Sequence, residues 1–272
     1  MAFLYFDTDA YRNLATAFAS AELPEILKKR IFLSPITTVE LLTQLTTGKA
    51  AEVLKQIRAL RNIMDPQQAP VLPHPSAAIA MYGFSITYDD KNFTESLAGA
   101  VNACLQANSA SEVGNVAGKL KDLLEKDKKC SVENFLRLLE SFRKEPLASE
   151  ETLKELFVEG LARRVGATPS RHSVQKIVNI FSAYYEFEKE KLRIAKTDFK
   201  YKPENHSNDL FDAEQLIYLG NPRLLHFVTC DRGFKRGVTQ SQSSQRDRIH
   251  VINRADISDM NSAICLIQQV TA

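Results

Sequence analysis

A chain of 272 residues, 44% hydrophobic and 25% charged, has the composition of a soluble globular protein with enough apolar residues for a sizeable core. The net charge is +2 at pH 7, so any nucleic-acid function has to come from a local patch rather than from the global field. Cys104, Cys130, Cys230 and Cys265 are far apart with no C-x-x-C pair, which argues against a zinc knuckle or a dithiol redox site and fits a reducing compartment. Asp7 and Asp9 interrupt the first apolar run before a signal segment can form, and no run approaches the ~20 residues of a membrane span. The expected location is cytoplasmic, with no membrane partner.

Residues 2–6 are an apolar run that stops at Asp7, the pattern of a buried parallel strand with acidic groups at its carboxyl end. Residues 10–18 read as helix, and Ile31, Phe32 and Leu33 as a second short strand stopped by Ser34-Pro35. A helix is expected from about Thr38, with Val39, Leu41, Leu42 and Leu45 on one side, followed by an amphipathic stretch over 50–64. Asp65-Pro66, Pro70, Pro73 and Pro75 then break the chain.

From there to about residue 205 almost everything reads helical. Ser109 and Glu112 have capping-box spacing, and Leu120, Leu123 and Leu124, then Phe135, Leu138, Leu139 and Phe142, recur at helical intervals. Pro169-Ser170 opens a long helix striped by Val174, Ile177, Val178, Phe181 and Tyr185. After the polar segment 203–208 the alternation of strand and helix returns. A helix over 209–219 is closed by Gly220-Asn221-Pro222, an apolar strand over 224–229 leads to Asp231, and a strand over 249–252 precedes a terminal helix over 260–270. The expected fold class is α/β, a parallel sheet with helical crossovers, divided into residues 1–65 and 206–272 by a helical insertion over 66–205. Functional groups in such sheets collect beyond the carboxyl ends of the strands, and two of these strands end on acids.

The acids are Asp7 in Phe6-Asp7-Thr8-Asp9, Glu40 in Thr37-Thr38-Val39-Glu40, Asp209 and Asp212 at a helix start, and Asp231 in Thr229-Cys230-Asp231-Arg232-Gly233-Phe234. Each has a local reading of its own. Glu40 completes a capping box with Thr37, Asp209 suits an N-cap, Asp212 suits a first helical turn, and Asp231 with Gly233 makes a turn.

In this order the residues resemble the PIN-domain-like nucleases. That family has an acid after its first strand, a Glu opening a following helix, an acid opening a later helix, and a T-x-D-x-x-F strand end. Asp7, Glu40, Asp212 and Asp231 fill those places, Asp212 standing 19 residues before Asp231. Asp209 is one turn from Asp212 and shares its face at i, i+3. Asp9 departs from the commoner Asn or Ser at its position. The resemblance covers the two outer parts of the chain and says nothing of the insertion. It implies a PIN-like sheet sandwiched by helices and a divalent-metal-dependent endoribonuclease. Asp7, Glu40, Asp212 and Asp231 would be the metal ligands, with Asp209 in support of catalysis.

The chemistry suits the residue types. Mg²⁺ and Mn²⁺ are hard cations that prefer oxygen ligands, and clustered carboxylates repel unless a cation neutralises them. A metal held there stabilises charge on a phosphate and activates water, so no nucleophilic side chain is required. RNA is the expected partner, and single-stranded DNA fits the same chemistry. PIN-like proteins include toxins of toxin–antitoxin pairs and RNA-processing factors. The insertion suggests a protein-binding module.

Two basic stretches stand near these acids. One is Arg232, Lys235 and Arg236, with Arg246 and Arg248 later. The other runs from Lys189 to Lys202, including Lys196 and Lys200, with Phe199 and Tyr201 as stacking candidates. The histidines have no metal-ligand spacing, and no phosphate-binding glycine loop occurs. An enzymatic rival is the haloacid-dehalogenase-like phosphatases, which the D-x-D at Asp7 and Asp9 resembles, with Asp7 as nucleophile and Asp89-Asp90 as the later acidic pair. A second rival is a non-catalytic PIN-like scaffold for RNA or protein.

Overall fold

Side chains alternate along a strand, so the first apolar run sends Leu4 and Phe6 to one face of a sheet and Tyr5 to the other. The computed structural model describes residues 2–64, 71–144, 149–170, 173–198, 200–234, 243 and 245–272, without the side chains of 110 and 115–117. Within these residues, strands β1 (Phe3–Phe6), β2 (Ile31–Phe32), β3 (Leu225–Thr229) and β4 (Ile249–Val251) form a four-stranded, all-parallel sheet in the order β2-β1-β3-β4. Phe6 pairs with Val228 and Thr229 with Val251, which aligns the carboxyl ends of β1 and β3 side by side.

The chain leaves β1 for β2 on one side and returns to β3 on the other. The helix after β1, α1 (Thr8–Ala17), packs on the Leu4–Phe6 face. The segment Ala213–Gly220 before β3 packs on the Tyr5–Phe227 face. The crevice between β1 and β3 is therefore a topological switch point, where the loops diverge and leave room for a site.

Both faces are covered. On one lie α1, α2 (Glu25–Lys28), α3 (Pro35–Thr43), α4 (Ala50–Arg58), α5 (Leu60–Ile63), α7 (Lys91–Gln106), the first half of α8 (Gly114–Lys144) and the terminal helix Met260–Thr271. On the other lie α6 (Pro75–Ala78), α9 (Glu150–Val165), α10 (Val174–Ile180), α11 (Ser182–Thr197) and Ala213–Gly220. The second half of α8 packs Val132, Phe135 and Leu139 against Leu192, Ala195 and Leu210. The inserted helices thus share the cores of the sheet, and α8 runs beside both α3 and α12 (Ser207–Asp212).

Several local expectations are corrected. Helix α3 begins at Pro35, not Thr38. Ser34 Oγ caps it by accepting from Thr37 N at 3.1 Å, and proline suits the first turn, where its missing N–H costs nothing. Glu40 is consequently past the first turn, and Thr37 makes no capping box with it: the Thr37 hydroxyl donates to Phe6 O at 2.8 Å. The stretch expected as one helix after Pro169 is two, divided at Phe181, whose φ of −109° and ψ of 35° leave the helical region. The helix expected over 209–219 is α-helical only to Asp212 and 3₁₀ over Ala213–Gly220. Ser109 bonds Glu112 by its side chain and opens a 3₁₀ turn, Ala110–Val113.

The insertion is tied to the sheet by a buried polar network. Arg164 of α9 grips Glu214 bidentately at 2.9 and 2.8 Å, Ser131 of α8 donates to Glu214 at 2.6 Å, and Arg164 Nε donates to Ser76 at 2.9 Å. Glu214 is 2% exposed, so without Arg164 it is a buried uncompensated charge. Among the described residues, no helix is long and apolar enough to cross a membrane.

Candidate metal centre

Beyond the carboxyl ends of β1 and β3 lies a cavity of about 410 Å³ lined by Asp7, Asp9, Glu40, Asp212, Gln215, Cys230, Asp231 and Phe234. Four of the five acids singled out in the sequence meet there from four separate places in the chain.

Asp7 ends β1 and caps α1: Oδ1 accepts from Ala10 N at 2.6 Å, while Oδ2 accepts from the Thr229 hydroxyl and from Cys230 N at 3.1 Å. Burial pushes its carboxyl up to about 6, against the pull of those donors. Glu40 projects from α3 and accepts from the Thr8 hydroxyl. Burial raises it as well, opposed by the Thr8 hydroxyl and by the charges of Lys128 and Arg12. Asp212 closes α12 and makes no side-chain hydrogen bond among the described residues. Burial first, then the charge of Glu40, pushes it up to about 8. Asp231 is exposed at the rim and accepts from Gly233 N at 2.6 Å, so it makes the expected turn and lines the cavity as well.

Asp209 does not join them. It is the third residue of α12 rather than its cap, is about half exposed, and pairs with Lys191 at 3.0 Å and His206 at 3.5 Å. Its contribution to the cavity is its charge, which helps to raise Asp212. Asp9 does line the cavity, where Arg254 holds it at 2.7 Å.

The structure describes some of the expected basic residues and not others. Lys235, Arg236 and Phe199 lie outside the described residues. Arg232 is exposed beside Asp231 and donates to Asn253 Oδ1 at 3.3 Å. On α11, Lys189, Lys191 and Arg193 are paired with neighbouring carboxylates, and Lys196 sits 4.1 Å over the Phe142 ring. Lys200 is exposed away from the cavity lining. The Tyr201 ring stacks on His206 at 4.5 Å, and Arg248 donates to Leu219 O at 2.6 Å. Asp89 and Asp90, the pair a phosphatase would need, lie outside the cavity and receive the backbone N–H groups of Lys91 and His74.

Three residues that sequence reasoning left out belong to the site. Lys128, from the inserted helix α8, offsets the charges of Glu40 and Asp212 and donates to Asn208 at 2.8 Å. Thr229 clamps Asp7, a role for which its place in the T-x-D strand end was the signal. Gln215 stands three residues after Asp212.

Among the described residues, no three His, Cys, Asp or Glu side chains are gathered as a ready-made ligand group. Asp7, Glu40 and Asp231 each turn to their own hydroxyl or N–H donor. The donor set nevertheless fits a hard divalent cation in its chemistry: it is rich in carboxylate oxygen, and the cavity has room for ion and water. The Cys230 thiol is pushed up to about 11 by burial and supplies no thiolate at neutral pH. Comparison with protein-family models, curated proteins and solved structures finds no match to this chain.

Proposed function

We propose that this chain is a divalent-metal-dependent nuclease with a PIN-like active site that cleaves RNA phosphodiester bonds. The observation that carries the proposal is the convergence of Asp7, Glu40, Asp212 and Asp231 on one cavity at the sheet's switch point, three of them with carboxyls raised by burial. Carboxyls so perturbed in a cleft are candidates for a functional site.

Asp7, Glu40 and Asp212 are the residues that would hold Mg²⁺ or Mn²⁺, with Asp231 reaching in from the rim. When bound, such a cation supplies charge stabilisation at phosphate and a more acidic water. Thr229 and Thr8 fix the carboxylates of Asp7 and Glu40 by hydroxyl donation. Lys128, Arg232 and Arg254 stand around the acidic cavity with positive charge for the flanking phosphates of a strand. The phosphatase reading gains no support, because Asp89 and Asp90 stand away from the cavity that Asp7 lines.

The test is cleavage of a labelled, partly structured RNA with Mg²⁺, Mn²⁺ or EDTA, comparing wild type with Asp7→Asn. Cutting that needs the cation and falls by at least ~10²-fold in the variant is the expected outcome. A folded wild type that binds the RNA and never cuts it would favour a non-catalytic scaffold.

A further inference from the structure

A second cavity, of about 670 Å³, lies at the amino end of the sheet. Its walls are apolar and come from three parts of the chain: Phe3 and Phe32, then Val71, Leu72 and Pro73, then Leu225. The Phe3 and Phe32 rings meet edge to face at 5.6 Å. Phe3, Val71 and Pro73 are only half-buried, whereas Leu72 and Leu225 belong to the buried core behind them. Strand β1 runs from Phe3, in this cavity, toward Asp7 in the carboxylate cavity, so the two sites stand ~10 Å or more apart at opposite ends of the sheet.

Two polar residues complete the lining, Asn221 and Arg223. The Asn221 amide is turned to protein: Nδ2 donates to the Tyr82 hydroxyl at 2.7 Å, and Oδ1 accepts from Arg223 N at 2.8 Å. The second bond fixes which way the amide faces and pins the backbone that carries Arg223. Arg223 is the one charged residue among the described lining. Its exposed guanidinium sits 5.9 Å over the Phe3 ring and has no carboxylate or hydrogen-bond acceptor among the described residues. Arg12, Arg164, Arg193 and Arg254 each have a carboxylate partner. The N–H donors of Arg223 are therefore unused at the edge of an apolar cavity.

We propose that this cavity binds a small organic acid, an apolar body carrying one carboxylate, with the body against Phe3, Val71 and Pro73 and the carboxylate on Arg223. The volume is that of a small-ligand site, and such sites combine apolar walls with a few placed polar groups. A guanidinium matches a carboxylate in shape and charge, and the ring beneath it keeps its planar face covered. A single lining cation with no lining anion selects one negative charge. A nucleobase is a poorer occupant, because its polar edges need partners and Asn221 already serves Tyr82 and Arg223. The proposal does not depend on the reading of the carboxylate cavity.

The probes are octanoate and 1-octanol, which share an apolar chain and differ in charge. Each is titrated by calorimetry at neutral pH into wild type, Arg223→Met, Val71→Glu and Asp212→Asn, with thermal melting of every variant. On apolar transfer alone the neutral alcohol would bind better, so a preference for the acid reports the cation. Wild type should bind octanoate about 5-fold more tightly than octanol, the upper range of an exposed ion pair, and the preference should shrink in high salt. Arg223→Met should lose the preference and keep octanol binding. Val71→Glu, which sets a like charge in the cavity wall, should weaken octanoate by at least as much, and Asp212→Asn should bind as wild type does. A wild type that binds no octanoate, or binds octanol equally well, overturns the proposal. So does octanoate binding that survives unchanged in both Arg223→Met and Val71→Glu, since it then lies elsewhere on the molecule. An Arg223→Met variant that melts lower and loses both probes makes Arg223 merely structural and also overturns it.

Discussion

Replacing Asp212 by Asn should make the protein more stable in the absence of divalent cation while removing its response to the cation. The carboxyl is raised from its ordinary 3.8 to about 8, first by burial and then by Glu40. Below pH 3.8 it is protonated in both the folded and the unfolded chain, and there is no penalty. Between pH 3.8 and 8 the folded chain keeps a proton that the unfolded chain has lost, so stability falls as pH rises, and above 8 the full penalty applies. At ~1.4 kcal/mol per pH unit the ceiling is about 5 kcal/mol at pH 8. Because part of the shift belongs to the interaction with Glu40, a net gain of about 2–3 kcal/mol is the expected size. For a domain of this size that corresponds to a rise in melting temperature of roughly 5–10 °C. The assay is thermal melting by circular dichroism at pH 5 and pH 8, in EDTA and in Mg²⁺. Wild type should gain more stability from Mg²⁺ at pH 8 than at pH 5, and in EDTA the Asp212→Asn variant should exceed wild type clearly at pH 8 and by a much smaller margin at pH 5. A variant less stable than wild type at pH 8, or a difference independent of pH, would show that the Asp212 carboxyl carries no such penalty.

Other perturbations test separate parts of the structure. Arg164→Met leaves Glu214 buried and unpaired and should cost about 3–5 kcal/mol in urea unfolding; a loss under ~1 kcal/mol would mean that the network does not hold the insertion to the sheet. Thr229→Val removes a hydroxyl donor from Asp7, whose pKa should rise beyond about 6. Mn²⁺ affinity should then fall several-fold at pH 6.5 and recover by pH 8, as proton and metal compete for the same oxygen; equal loss at both pH values would point to damaged packing instead. Glu188, buried and raised to about 8 by burial and by the charge of Glu214, destabilises the fold progressively from pH 4.5 to 8. Glu188→Gln should therefore stabilise at pH 8 by on the order of 3 kcal/mol and leave pH 5 nearly unchanged, read from denaturant midpoints.

The sheet was legible because its strands are short apolar runs closed by an acid or a proline. That pattern survives any uncertainty about the helices between them. The meeting of Asp7 and Asp231 followed from it, since adjacent parallel strands put their carboxyl ends together. Helix boundaries were less legible. Ser34-Pro35 reads as a stop when taken as the end of a strand and as a start once Pro35 is seen at the first helical position, and this displaced Glu40 by a turn. The same problem misplaced Asp209: whether it caps α12 or faces Lys191 depends on the helix starting at Ser207. An apolar stripe that continues in phase across Phe181 concealed the break there. Lys128 was beyond reach, because nothing local to an inserted helix indicates which distant carboxylates it will face. Gln215 needed the change from α to 3₁₀ at Asp212, which sequence periodicity over so few residues does not encode.

Whether the carboxylate cavity holds a divalent cation is decided most directly by anomalous diffraction from crystals grown near neutral pH and soaked in Mn²⁺. The expected result is an anomalous peak bounded by the carboxylates of Asp7, Glu40 and Asp212, absent from Asp212→Asn crystals treated in the same way. Mn²⁺ bound elsewhere on the molecule, with none between those three side chains, would contradict it.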